Sequence, residues 1–318
     1  MVLMVYKASG YCDLNINSKA RNLKDLVLRA ATSGYQTIAI NTTVFENDEH
    51  DNIVMKKGKK KQKQSNSDTV PAIPELTRLS FTSTDLLKHK LNKPPILLSR
   101  ITLVYGNTDS PLLKQVAVDA VQKYDLVAVT PTSQAAFKQV CQTLPFVDII
   151  SMDPCGSNLN LSKNLLWDAV QRNIYFEIKY NVCIGSGNPK QLQGTFQLGN
   201  ELSRIIDCGN MIVCSGANSV ETLRAPRDVA NLMHSVFPSS TSSIRAIAVT
   251  CHDAIKFARE RKPCFKKCAV SALTENIKNE EDYNVLQGKR KLDHCESKKS
   301  GLSSRVPKLK KRKMHLGK

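Results

Sequence analysis

Residues 124–131 read Tyr-Asp-Leu-Val-Ala-Val-Thr-Pro, with four consecutive apolar residues from Leu126 to Val129 and no polar alternation. A strand with one wet face alternates apolar and polar residues. An uninterrupted run implies that helices cover both faces, as in parallel α/β proteins. Comparable runs occur at Tyr11–Ile16, Gln36–Asn41, Ile96–Tyr105, Asp125–Thr130, Val147–Ser151, Ile174–Lys179 and Met211–Ser215. Between them lie amphipathic segments, marked by Leu26, Val27, Ala30 and Ala31 and later by Leu198, Leu202, Ile205 and Ile206. Strand–helix alternation over about 250 residues predicts a parallel α/β architecture of (β/α) barrel size. The runs number seven rather than eight. The expectation is therefore an incomplete barrel closed by helices, unless a strand escapes the pattern, with an open doubly wound sheet as the alternative. Helical segments near Asp228–Val236 and Ser240–Ala258 follow the last run with no strand between them.

Two stretches break this rhythm. Residues 46–72 pass from acidic (Glu46, Asp48, Glu49, Asp51) to lysine-rich to QSNSDT, and residues 270–318 end in PKLKKRKMHLGK. Both hold too few apolar residues to offset the entropy of ordering, so they read as an insertion and a tail without fixed structure around a barrel domain at 1–269. They also carry the charge. The chain has 46 Lys+Arg against 28 Asp+Glu, a net +18; residues 56–63 supply +6 and residues 289–318 supply +10, which leaves +2 for everything else. Two separate basic runs favour a polyanionic partner, read without base specificity. The cluster Lys308, Lys310, Lys311, Arg312 and Lys313 has the form of a nuclear localisation signal.

No stretch approaches the roughly 20 apolar residues of a transmembrane helix. The start, MVLMVYKASGYC, has no basic flank before its apolar run, so no signal peptide and no membrane association are expected. The ten cysteines are scattered without a C-x-x-C pair. Cys12 and Cys214 fall in predicted strands, where a thiol packs as a small core residue. Cys264 and Cys268, near Cys251 and His252, lack paired zinc-ligand spacing, and reduced thiols are the simpler account.

Barrels of this size are commonly enzymes, with chemistry at the C-terminal ends of the strands. The six histidines form neither H-x-H nor H-E-x-x-H. Asp13 in YCDLNI and Glu177 in IYFEIKY are the carboxylates at strand positions. They can serve as acid/base groups or metal ligands, or else as partners of an interior cation such as Arg100 in LLSRITL. The loop Gly185–Lys190 (GSGNPK) matches neither a dinucleotide nor a Walker pattern and reads as a turn. In LRAPRDVAN (Leu223–Asn231), Pro226 suits the first turn of a helix and Asp228 its positive end. Arg224 and Arg227 flank that start, either to receive a phosphate or to order the turn. Arg245, Lys256, Arg259, Arg261, Lys262, Lys266 and Lys267 extend positive charge through the last helix and beyond, as an RNA-tracking surface would.

Six blocks then resemble a known family in order and separation over roughly residues 10–258: YCDLNI, GYQTIAIN (Gly34–Asn41), SRITL (Ser99–Leu103), YDLVAVTP, FEIKY (Phe176–Tyr180) and LRAPRDVAN. They are similar to the TIM-barrel-like protein subunit of ribonuclease P and ribonuclease MRP. The resemblance implies a barrel related to the PHP hydrolases without their metal-binding histidines, and hence no metal, no cofactor and no catalytic group. It implies that the RNA subunit cleaves the 5′ leader from precursor tRNA, a substrate this protein meets only indirectly. The protein helps to hold that RNA together with other protein subunits, including a small α/β partner, in the nucleus and nucleolus. By the same resemblance the MRP particle acts on ribosomal RNA. Set within that role, the RNA-binding candidates are Arg100, Lys190, Arg224, Arg227, Arg245, Lys256, Arg259 and Lys262, with Pro226, Asp228 and Asn231 shaping the helix start. This chain departs from the family where the helix after the sixth strand begins PKQLQGTF, with Lys190 in place of a basic pair, and in its lysine-rich stretch 56–63. The rival expectation is a PHP-type, metal-dependent phosphoesterase using Asp13 and Glu177 as ligands.

Overall fold

The continuous apolar runs pair in sequence order. The computed structural model describes residues 10–46, 73–116, 119–154, 159–185, 189–206, 208–237 and 240–261. Seven strands, β1 (Tyr11–Asn17), β2 (Tyr35–Phe45), β3 (Ile96–Tyr105), β4 (Leu126–Pro131), β5 (Ile149–Ser151), β6 (Tyr175–Lys179) and β7 (Met211–Cys214), form one sheet ordered β1 to β7. Every neighbouring pair is parallel. The helices are α1 (Leu23–Thr32), α2 (Ser83–Lys88), α3 (Pro111–Val116), α4 (Asp119–Gln122), α5 (Gln134–Gln142), α6 (Lys163–Gln171), α7 (Asn181–Gly185), α8 (Pro189–Ile205), α9 (Pro226–Leu232), α10 (Ser240–Ala246) and α11 (Val249–Arg261).

The sheet curls until its first and last strands meet. Ile16 and Ala217 form a parallel bridge, and Asn17 N donates to Ala217 O at 3.1 Å. The position of an eighth strand is filled in part by the link between α10 and α11, where Ile247 O accepts from Cys12 N at 2.8 Å. The result is a nearly closed seven-stranded barrel, which excludes the open doubly wound sheet. The outer side of the seam is sealed by Tyr35, which packs with Ile16, Ala217 and Leu223. Its hydroxyl donates to Arg224 O at 3.1 Å, while Arg224 N donates to the Tyr180 hydroxyl at 3.3 Å.

Alternation along each strand divides the core in two. Outward residues such as Ile101, Leu103, Val127, Val129, Phe176 and Val213 pack under the surrounding helices. Inward residues include Leu98, Leu126, Ile149, Tyr175 and Ile212, and these bury Cys251, Ala254, Ile255 and Ala258 of α11. This last helix therefore stoppers the end of the barrel where the strands begin. His252 marks the level, with Nε2 3.0 Å from Gly10 O just ahead of β1. Four apolar or small residues on one stripe of α11 fill a space too narrow for larger side chains at close-packed density. Among the described residues no helix is long and apolar enough to cross a membrane.

The stretches expected to be an insertion and a tail lie outside the described residues, apart from Glu46 at the first boundary. Glu46 Oε2 accepts from Gly106 N at 2.9 Å, closing the turn after β3.

Candidate nucleic-acid interface

Above the apolar layer, the barrel interior turns polar. Arg100 on β3 points inward and is fully buried. Its Nη1 and Nη2 donate to Glu177 Oε1 and Oε2 at 2.6 and 2.7 Å, a two-pronged ion pair. Nη1 also reaches Leu14 O at 2.9 Å, and Nε reaches Thr102 Oγ1 at 3.3 Å. The chain of bonds continues from Thr102 Oγ1 to Asn41 Oδ1, from Asn41 Nδ2 to Asn15 Oδ1, and from Asn15 Nδ2 back to Glu177 Oε1, at 2.7, 2.9 and 3.0 Å. Four strands are tied together by this ring. Burial alone raises the Glu177 carboxyl, but the Arg100 charge and its hydrogen bonds hold it down at about 2.

Asp13 lies on the β1 side of the same interior. The pairing of β1 with β2 shifts register on both sides of Cys12–Asp13, a bulge that re-aims successive side chains. Asp13 Oδ1 accepts from Ser215 N at 3.0 Å and Asn15 N at 3.2 Å, which stitches β1 to the chain leaving β7. Asp13 Oδ2 is buried with no hydrogen-bond partner among the described residues. Burial raises this carboxyl to about 6; the hydrogen bonds from Ser215 and Asn15 pull it down, and the Glu177 charge adds to the rise.

The two carboxylates that sequence offered as catalytic groups are thus spent on the interior. Glu177 gives both oxygens to Arg100, and Asp13 gives one to backbone amides. Among the described residues, no three His, Cys, Asp or Glu side chains come together to hold a metal ion. Arg100 requires a correction as well. Sequence offered it both as an interior partner of Asp13 or Glu177 and as an RNA-contacting cation; the pair with Glu177 meets the first expectation, and a fully buried guanidinium so bonded reaches no phosphate. Its inward position follows from strand parity, because Leu98 and Thr102 flank it on the same face. Asn15, Asn41, Thr102 and Ser215 went unnoticed in the sequence. The signal that would have found them is a polar residue at alternate positions of otherwise apolar strands, as in Asp13–Asn15 and Asn41.

The other cations lie outside the barrel. Lys190 is exposed in the first turn of α8, and Lys256 and Arg259 are exposed on α11. Arg245, in the last turn of α10, is half-buried. Pro226 occupies the first turn of α9 and is buried, while Asp228 in that turn and Asn231 are exposed. Arg224 and Arg227 are exposed at that helix start. The Arg224 guanidinium donates to Glu221 O and Leu223 O at 2.8 and 2.7 Å, so carbonyls of its own turn orient it. Lys262 and the cluster Lys308–Lys313 lie outside the described residues. The cysteines within them are free thiols: Cys12, Cys141, Cys214 and Cys251 are buried, Cys183 and Cys208 half-buried.

Seven parallel strands, a helix plugging one end and an ion-paired interior at the other define a TIM-barrel-like α/β protein. The family is equally definite: residues 10–263 match the RNase P subunit p30 family, and the chain belongs to it. It is similar to mouse ribonuclease P protein subunit p30, with 26% identity over 256 residues covering 80% of this chain and 87% of the mouse protein. A protein of Arabidopsis thaliana named GAMETOPHYTE DEFECTIVE 1 is 34% identical over 163 residues, which span 51% of this chain and only 26% of that longer relative. The Dictyostelium discoideum ribonuclease P protein subunit drpp30 is 28% identical over 142 residues, 45% of this chain and 38% of its own length. Among solved structures, a chain in the cryo-EM structure of archaeal ribonuclease P with mature tRNA superposes with a TM-score of 0.51 at 11% identity. The match covers 82% of this chain and 99% of that one, and at such identity it speaks for the fold.

Proposed function

We propose that this chain serves ribonuclease P as a non-catalytic, RNA-binding protein subunit, leaving cleavage of the precursor tRNA leader to the RNA. The observation that carries the reading is the sealed interior. A metal-dependent phosphoesterase needs carboxylates free to ligate its ions. Here Arg100 occupies both oxygens of Glu177. Membership of the p30 family supports the same assignment. The exposed cations Lys190, Arg224, Arg227, Lys256 and Arg259, with the half-buried Arg245, are the proposed contacts to RNA phosphates, and the basic segments beyond the described residues add sequence-independent grip. Other ribonuclease P proteins, among them a small α/β subunit, are its proposed neighbours. Service in ribonuclease MRP and residence in the nucleus and nucleolus, directed by the basic tail, belong to the same proposal.

Affinity purification of the tagged full chain at moderate salt tests it. Recovery of ribonuclease P RNA, together with precursor-tRNA cleavage that survives Asp13→Asn, is the expected result. Purified protein that hydrolyses phosphoesters without RNA, and loses that activity on Asp13→Asn, would defeat the proposal.

A further inference from the structure

The loop between α2 and β3 reads Leu87-Lys-His-Lys-Leu-Asn-Lys93, and none of its lysines entered the reading of the sequence. Its structure is well determined by local bonds. Thr82 and Asp85 form a reciprocal cap at the start of α2. At its end, Leu91 N donates to Leu86 O at 2.9 Å and Lys90 N to Leu87 O at 3.0 Å. This is a Schellman ending, whose pivotal residue must take the left-handed conformation. The pivot is Lys90, with φ 54°. Glycine takes that conformation without steric cost, whereas a lysine strains the backbone. Strain retained at an exposed side chain points to use of that side chain.

The charges around it point the same way. On α1, Asp25, Arg29 and Thr32 share one stripe at helical spacing. Asp25 Oδ1 is 3.4 Å from His89 Nε2, and Thr32 Oγ1 donates to His89 O at 3.3 Å, so this stripe faces the loop. Lys24 Nζ meets Asp85 Oδ2 at 2.6 Å. Asp85 is thereby paired with Lys24, and Asp25 faces His89. Arg29, Lys88, Lys90 and Lys93 are all exposed, and among the described residues none of them pairs with a carboxylate. Lys93 lies three residues before the start of β3, which places the cluster at the barrel end that α11 stoppers, where Lys256 and Arg259 also reach solvent.

We infer that Arg29, Lys88, Lys90 and Lys93 form an RNA-backbone contact surface, held rigid by the clamp between α1 and the end of α2. The inference rests on the RNA-binding reading above and adds four cations to the barrel end where Lys256 and Arg259 lie, apart from those of α8 and α9. Preorganised cations lose little freedom on meeting phosphates, and their contacts release counterions, which makes affinity steeply salt-dependent.

The test measures binding of the full chain to transcribed ribonuclease P RNA and to an unrelated RNA duplex across a salt series. The variants are Lys90→Gly alone and Lys88→Gln/Lys90→Gly/Lys93→Gln together. The triple variant is expected to bind both RNAs roughly 10- to 100-fold more weakly, with the slope of log affinity against log salt reduced by about 2. Lys90→Gly alone is expected to lower the slope by about 1 while raising Tm, because the strain is relieved. That opposition of binding and stability separates a contact residue from a merely structural one. Unchanged affinity and slope on both RNAs would overturn the surface, and so would unchanged RNA binding accompanied by loss of a co-purifying protein. If affinity purification of the tagged full chain recovers no ribonuclease P RNA, yet the variants still weaken binding to both transcribed RNAs, the subunit assignment fails and the surface stands.

Discussion

Replacing Arg100 by Met leaves the shape of the barrel interior nearly intact and removes a fully buried guanidinium. Four hydrogen bonds go with it, two to Glu177, one to Leu14 O and one to Thr102. The larger effect is what stays behind, a carboxylate enclosed without its counter-charge. Breaking a buried pair from one side costs about 3–5 kcal/mol. For a domain of this size each kcal/mol moves Tm by about 2–4 °C, so a fall of about 6–20 °C is expected. The effect has a pH signature. In the wild type, Glu177 ionises near 2 when folded, against an ordinary 4.5. A depressed acid contributes stability above 4.5 and loses it as pH falls toward 2. In Arg100→Met the same carboxyl loses its main counter-charge, burial then outweighs what remains from Asn15, Lys179 and Ser151, and it takes up a proton more readily, so the gap between the proteins should be widest above pH 5 and narrow toward pH 3. Adding Glu177→Gln, which keeps an acceptor for Asn15 Nδ2, should recover much of the loss. Urea unfolding followed by circular dichroism at pH 3.5, 5 and 7.5 measures the wild type, each single variant and the double variant. A loss below about 1 kcal/mol in Arg100→Met, or additive effects in the double variant, would refute the account of a charge-balanced interior.

Asp13→Asn carries the opposite sign. Asp13 is raised from 3.8 to about 6, so the folded state binds its proton more tightly than the unfolded chain does. The penalty for ionising it is absent below about pH 3.8 and complete above 6, worth up to about 3 kcal/mol. Stability measured from pH 4 to 7 should therefore decline less steeply in Asp13→Asn than in the wild type, and identical slopes would contradict the assignment. On α11, Ile255→Ala should cost about 2–5 kcal/mol because Ile255 is only 1% exposed inside the barrel. Its neighbour Lys256, being exposed, should change stability by less than about 0.5 kcal/mol on replacement by Ala. Equal effects at the two positions would mean that α11 does not plug the barrel.

The strands were legible because their signal is local. Ile96–Tyr105 is read to the residue, and the other six runs shift by a residue or two, or extend as β2 does to Phe45. Parallel pairing followed from the absence of alternation, and the count of seven stands. An incomplete barrel was expected, but not the contacts that close it, since these depend on Ile16 meeting Ala217 across the whole chain and on Ile247 standing against β1. Nor was the role of α11 expected: Cys251, Ala254 and Ala258 look like a weak helix stripe until the narrow space they fill is known. Arg100 was read in two ways, as an interior partner for Asp13 or Glu177 and as an RNA contact. Its parity with Leu98 and Thr102 turns it inward to Glu177, which meets the first reading and excludes the second. The Lys88–Lys93 loop was overlooked for a related reason. Three lysines across six residues look like ordinary solvated surface, and only the left-handed Lys90 and the clamp to α1 set them apart.

The plug helix also fixes a timetable. A ribosome emits β1 first and α11 last of the barrel elements, yet Cys12 and Leu14 of β1 share their apolar layer with Cys251, Ala254 and Ile255. Until residue 261 clears the exit tunnel, the seven strands enclose an unfilled hole. The nascent chain must wait, with an apolar lumen open to solvent, from the completion of β7 at Cys214 until Arg261 is made. Completion of the barrel is thereby tied to the moment at which the basic tail begins to emerge. Folding and exposure of that lysine-rich segment become successive events on one clock.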